Sequence, residues 1–101
     1  MVHHIVMWRL KEQVQDRSRQ ENVEIFRSKL EFLAHAIPEI KKMEVGIPKA
    51  ESKSSNFDIV LDSWFENYEE LARYQNHSLH QELVSWLNIV RDSKASIDYE
   101  V

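Results

Sequence analysis

Five histidines stand among the 101 residues, at His3, His4, His35, His77 and His80. Histidine is the side chain whose ordinary pKa lets it take and give protons near neutral pH. His77 and His80 are three residues apart, and Tyr74 precedes His80 by six. Asn76-His77-Ser78 interrupts a helical pattern between them, and such a break can turn Tyr74 and His80 toward one pocket. His4 shares a strand face with Val6 and Trp8. Together, His4, Tyr74 and His80 suit proton transfer beside a polarised carbonyl. A histidine would be the base, and the tyrosine would donate a hydrogen bond to the developing oxyanion. Other readings fit the same residues. They can be buried polar groups held by the backbone, with His77 as a cap or turn residue. The His-x-x-His spacing also suggests metal, but no third ligand is near it in sequence. A haem pocket with His77 or His80 as axial ligand is conceivable, and nothing singles it out.

The elements that must position these groups follow from periodicity. Val2, His4, Val6, Trp8 and Leu10 alternate with His3, Ile5, Met7 and Arg9, which predicts an opening strand. Lys11 to Gln20 reads as a polar exit. Val23, Phe26, Leu30, Leu33 and Ile37 recur at helical spacing, with Ile25 and Phe32 flanking, and predict a helix over about 17–36 that Pro38 ends. Met43, Val45 and Ile47 predict a second strand, and a third is expected over about 56–65 after a polar hairpin loop. Tyr68, Leu71 and Ala72 mark a short helix near 67–74. A further helix is expected over 78–90 and a last strand around Ala95, Ile97, Tyr99 and Val101. The order βαββααβ implies an α+β, ferredoxin-like sheet with helices on one face. Ile5, Met7, Val60 and Trp64 leave the other face apolar, which suggests a second copy packed against it as a homodimer. Trp8, Phe26, Phe57, Phe65, Tyr68 and Trp86 could line an apolar cavity, although core packing accounts for their spacing.

Composition excludes several classes of function. One domain, 1–101, is all this length holds. Hydrophobic residues make up 43% and charged residues 30%, as in ordinary globular chains. There is no cysteine, so no disulfide, thiolate metal site or cysteine nucleophile. The net charge of -4 offers no basic footprint for nucleic acid. No apolar run approaches the roughly 20 residues of a membrane span. With no signal peptide at the start, a cytoplasmic protein is expected.

The motifs resemble a known family along essentially the whole chain. His4-Ile5-Val6-Met7-Trp8-Arg9-Leu10-Lys11 opens it, Ile37-Pro38-Glu39-Ile40 ends the first helix, and Val45-Gly46 follows. Asp58-Ile59-Val60-Leu61 leads through Phe65-Glu66 to Tyr74-Gln75-Asn76-His77-Ser78-Leu79-His80, and Ala95-Ser96-Ile97-Asp98-Tyr99 closes it. This resembles the stress-responsive A/B barrel (Dabb) family, which implies a dimeric α/β barrel. The family's olivetolic acid cyclase-like branch closes a linear polyketide by intramolecular aldol condensation. Similarity to that branch would make His80 the base, Tyr74 the carbonyl contact and His4 a pocket residue. The ligand would then be a small apolar or aromatic carbonyl compound. That branch has a further pocket histidine where this chain has Ile59. Most members have no assigned reaction, and a non-catalytic, stress-associated dimer is the third reading. The reaction requires no cofactor, but some members hold magnesium through helix-end carbonyls, at positions matching Ala34, Ile37 and Ile40. Such carbonyls lack intrahelical partners and sit at the negative end of the helix dipole.

Overall fold

A computed structural model describes residues 1–101. Strand β1 (Val2–Leu10) leads into a two-residue-strand hairpin, β2 (Gln13–Val14) and β3 (Arg17–Ser18), and then helix α1 (Arg19–Ala36). Strands β4 (Lys42–Gly46) and β5 (Ile59–Phe65) follow, then α2 (Tyr68–Asn76), α3 (Ser78–Val90) and β6 (Arg91–Glu100). The main sheet has the order β4-β5-β1-β6, antiparallel throughout. This is the α+β, ferredoxin-like arrangement expected from the element order.

Local chemistry explains the boundaries. At the start of α1, the Glu21 amide donates to Ser18 Oγ at 3.1 Å. The Ser18 amide donates back to Glu21 Oε1 at 2.9 Å, completing a capping box. The helix stops at Ile37, whose backbone is extended, ahead of Pro38. Asn67 caps α2 by accepting from the Glu70 amide at 2.9 Å. His77 ends α2 and starts α3, its Nδ1 accepting from the Leu79 amide at 3.1 Å. Of the roles open to His77, the structure shows the cap.

The sequence reading differs from the structure in several places. The segment read as a polar exit contains the β2–β3 hairpin, turned by Gln15 and Asp16 at φ of 54° and 60°. Two left-handed residues are what a two-residue hairpin needs, but glutamine is a poor advertisement for one. Strand β5 starts at Ile59, so half-buried Phe57 stands before the strand. The Asp58 carboxylate instead accepts from the Leu10 amide at 2.8 Å, tying off the end of β1. Tyr68 and Ala72 lie on the exposed side of α2, and Phe32 is exposed on α1. Strand β6 begins four residues before Ala95, directly at the end of α3.

The core lies between sheet and helices. Val2, Val6, Trp8 and Leu10 of β1 meet Ile59, Leu61 and Phe65 of β5 and the buried faces of all three helices. Full burial of side chains of this size stabilises by about 1.5–3 kcal/mol each. On the opposite face of the sheet, Ile5, Met7, Val60 and Trp64 are half-buried and no helix covers them. His3 sits there too, stacked on Trp64 with ring centroids 4.3 Å apart. Its Nε2 is paired with the Asp62 carboxylate and its Nδ1 with the Tyr99 hydroxyl at 2.9 Å. A carboxylate only accepts, so Nε2 carries the proton shared with Asp62.

Candidate functional site

The register of three strands and the α2–α3 break assemble the site. Alternation along β1 turns His4 inward, where it is 6% exposed. Tyr74, in the last turns of α2, is 1% exposed. His80, in the first turn of α3, is half-buried. The Tyr74 and His80 ring centroids are 4.6 Å apart at an interplanar angle of 63°. The His4 and Tyr74 rings are 6.3 Å apart. Phe65 supports Tyr74 from the sheet at 5.0 Å. The three side chains expected to meet thus do so, and the interhelical break is what turns His80 back over Tyr74.

They border a cavity of about 230 Å³ between sheet and helices. Trp8, Leu30, Leu61, Leu83 and Leu87 give it apolar walls. Its polar side comes from β6, where Lys94, Ser96 and Asp98 pair in register with Trp8, Val6 and His4. Polar residues thus occupy the helix-side positions of an edge strand, and the cavity has its polar margin there. Asp98 accepts from His4 Nδ1. That bond leaves His4 Nε2 unprotonated in the neutral ring, so His4 offers an oriented acceptor.

Electrostatics divide the roles. Burial lowers the pKa of His80. The nearby Gln75 carbonyl works against this, and the charge of Lys94 adds to it. His80 Nδ1 is buried without a hydrogen-bond partner, while the Gln75 carbonyl holds the Gln81 side-chain amide at 2.9 Å. His80 is therefore a neutral ring at neutral pH. Burial pushes the Tyr74 phenol up, well above its ordinary value, with no hydrogen bond or charge offsetting it. Tyr74 is thus a protonated donor across the working pH range.

The residues that sequence reasoning missed are Asp98 and its neighbours on β6. The signal was present: Lys94, Ser96 and Asp98 share one parity, and pairing β6 with β1 sets Asp98 opposite His4. Of the aromatic residues considered for a cavity, Trp8 alone lines this one; Phe26 and Phe65 are core. Ile59 is buried in the core and does not line the cavity.

Ala34 lies in the last turn of α1, Ile37 is its C-cap and Ile40 follows three residues later. The Ile37 amide donates to the Leu33 carbonyl at 3.0 Å, and the Ile37 carbonyl accepts from the Ile40 amide at 3.3 Å. A carbonyl oxygen has two lone pairs, so Ile37 keeps one free. Neutral oxygens at the negative end of a helix fit a hydrated hard cation. Ala34 borders a shallow depression with Arg27, Glu31, Met43 and Val45, and none of these residues lines the histidine cavity.

Comparisons agree with the architecture. The Dabb family, the Stress Responsive A/B Barrel Domain, matches residues 2–101. The chain is similar to a dimeric protein of unknown function and ferredoxin-like fold from Bacteroides fragilis. The TM-score is 0.85 at 29% identity, over 99% of this chain and 95% of that one. A Dabb family protein of ferredoxin-like fold from Mesorhizobium loti superposes with a TM-score of 0.77 at 20% identity, over 99% and 95%. Hydroxynitrile lyase from Passiflora edulis superposes with a TM-score of 0.80 at 19% identity, over 99% and 92%. No curated protein matches the chain in sequence. No helix is long and apolar enough to cross a membrane.

Proposed function

The chain belongs to the stress-responsive A/B barrel domain family, and from that premise we propose a homodimer in which each subunit's cavity handles a small carbonyl compound. Dimeric relatives and the uncovered apolar face carrying Ile5, Met7, Val60 and Trp64 support the assembly. The observation that carries the chemistry is His80 packed edge-on against buried Tyr74 at the wall of a cavity with one apolar and one polar side.

The carbonyl oxygen of the ligand accepts a hydrogen bond from the Tyr74 hydroxyl. His80 takes a proton from the carbon beside that carbonyl, and the C–H electron pair moves onto the oxygen as an enolate. Tyr74 stabilises this charge, and the apolar walls strengthen the interaction. The enolate carbon then either attacks a second carbonyl in the same molecule, expels a leaving group or recovers a proton from His80. These outcomes define a cyclase, a lyase and an isomerase. His4, oriented by Asp98, accepts a hydrogen bond from the ligand at Nε2. Any magnesium held by the Ala34, Ile37 and Ile40 carbonyls would neutralise the end of α1, apart from the reacting atoms. The cytoplasm is the compartment in which we place this chemistry.

The test needs no natural substrate. Butanone or cyclohexanone in deuterated buffer loses its α-protons to solvent when a base abstracts them, and proton NMR follows the loss. The protein should accelerate this exchange, and His80→Ala should remove roughly 10²-fold or more of the acceleration. Exchange no faster than with His80→Ala would overturn the catalytic reading. It would leave a stable, non-catalytic dimer as the function.

A further inference from the structure

Leu83 is the one residue that borders both the histidine cavity and a second hollow, of about 350 Å³, on the outer surface between α1 and α3. It is 6% exposed, so its side chain is buried where the two hollows come nearest in the lining they share. The outer hollow is apolar along Phe32, Leu33 and Leu79, with Lys29 and Glu82 at its margin. Phe32 is 59% exposed there, a large aromatic surface that core packing does not use. The inner cavity alone falls below the roughly 300–1,000 Å³ that drug-sized ligands occupy, whereas the two spaces joined fall within it.

We infer that Leu83 is a partition that sets ligand length. The carbonyl end of a ligand sits against Tyr74 and His80, and an alkyl tail runs toward Leu83. With Leu83 in place, the protein takes short-chain carbonyl compounds. Once Leu83 is shortened, the tail passes between α1 and α3 and lies along Leu79 and Phe32. This specificity role rests on the carbonyl reading above. It adds to that reading the class of compound excluded, namely ketones with long unbranched tails.

The experiment titrates straight-chain methyl ketones, from butanone upward, into wild-type dimer by ligand-observed NMR. The same series is run with Leu83→Ala and Leu83→Val. Wild-type affinity should rise with each methylene and then stop rising at a cut-off length. Leu83→Ala should move that cut-off to longer chains. Beyond the wild-type cut-off it should gain about fourfold per methylene newly buried. Leu83→Ala hollows the core and lowers stability. Leu83→Val is the milder companion and should shift the cut-off in the same direction by less. Leu83→Phe, filling the partition, should move it the other way. If short ketones bind all forms and the cut-off stays at one length, the partition is refuted while the carbonyl reading survives. If no ketone binds the wild type, the carbonyl reading fails and the partition with it.

Discussion

Tyr74→Phe removes one oxygen from the cavity wall, and stability and chemistry should respond with opposite signs. The Tyr74 ring is 1% exposed and packed between Phe65 and His80, so phenylalanine keeps the packing. Nothing in the chain offsets the burial of the hydroxyl. Burying a hydroxyl without a compensating bond costs about 1–3 kcal/mol in protein mutational data. Removing it should therefore raise the unfolding free energy by about 1 kcal/mol. In a domain of this size that is about 4–8 °C in Tm, read by calorimetry at one fixed protein concentration because a dimer's Tm depends on it. The α-proton exchange rate of butanone should fall by about 10²–10³-fold, as for loss of one oxyanion donor. A variant that loses more than about 1 kcal/mol would show that the hydroxyl is held by the protein. Tyr74 would then be a structural group, and the donor role would be wrong. A stabilised variant with an unchanged exchange rate would refute the donor role from the other side.

Other perturbations test separate parts of the structure. Because burial lowers the pKa of His80, unfolded chains take up a proton below about 6.5 that folded chains refuse. The stability associated with neutral His80 should be lost as pH falls from about 6.5 toward the lowered folded value. Urea unfolding of His80→Gln should show a flatter pH dependence over that window. Asp98→Asn lets the new amide donate to His4 Nδ1, so nitrogen NMR should show the proton moved to Nε2. The exchange rate should fall by roughly tenfold or more, and an unchanged tautomer would contradict the role given to Asp98. Met7→Asp buries an unpaired charge on the uncovered sheet face and should convert dimer to monomer in native mass spectrometry. A Cβ added at Gly46 would stand 2.8 Å from Val60 Cγ1. Gly46→Ala should thus cost about 1–3 kcal/mol by overpacking, and Val60→Ala should recover most of it.

The parts of the fold legible in the sequence were those with one dominant period. The α1 stripe of Val23, Phe26, Leu30 and Leu33 and the β1 alternation are long enough to decide element and face together. The β2–β3 hairpin was hidden because its two left-handed residues are Gln15 and Asp16, not the glycine or asparagine that announces such a turn. The site was half legible for a related reason. His4, Tyr74 and His80 are residue types that draw attention by their chemistry. Asp98 belongs to an edge strand whose cavity-side positions are polar, so its alternation looks like a solvated face. Only pairing between the chain's two ends, across 94 residues, sets Asp98 against His4.

That pairing also ties the cavity to the assembly face. His3 and His4 are adjacent, so the period of a strand sends their rings to opposite sides of the sheet. Each ring then finds a carboxylate: Asp98 on the cavity side, and Asp62 on the uncovered side beside Tyr99. Tyr99 and Asp98 are themselves adjacent on β6, so β1 and β6 contribute to both clusters in one register, and β5 adds Asp62 and Trp64 to that of His3. A slip of one residue between β1 and β6 would turn Asp98 away from His4 and Tyr99 away from His3 together. In the proposed dimer, a second copy packed on Ile5, Met7 and Trp64 would hold the His3 cluster in place. By fixing His3 it would hold β1 in register and keep His4 against Asp98. Dimerisation would thus favour the ordered cavity through the shared backbone of β1, with no partner residue reaching the cavity.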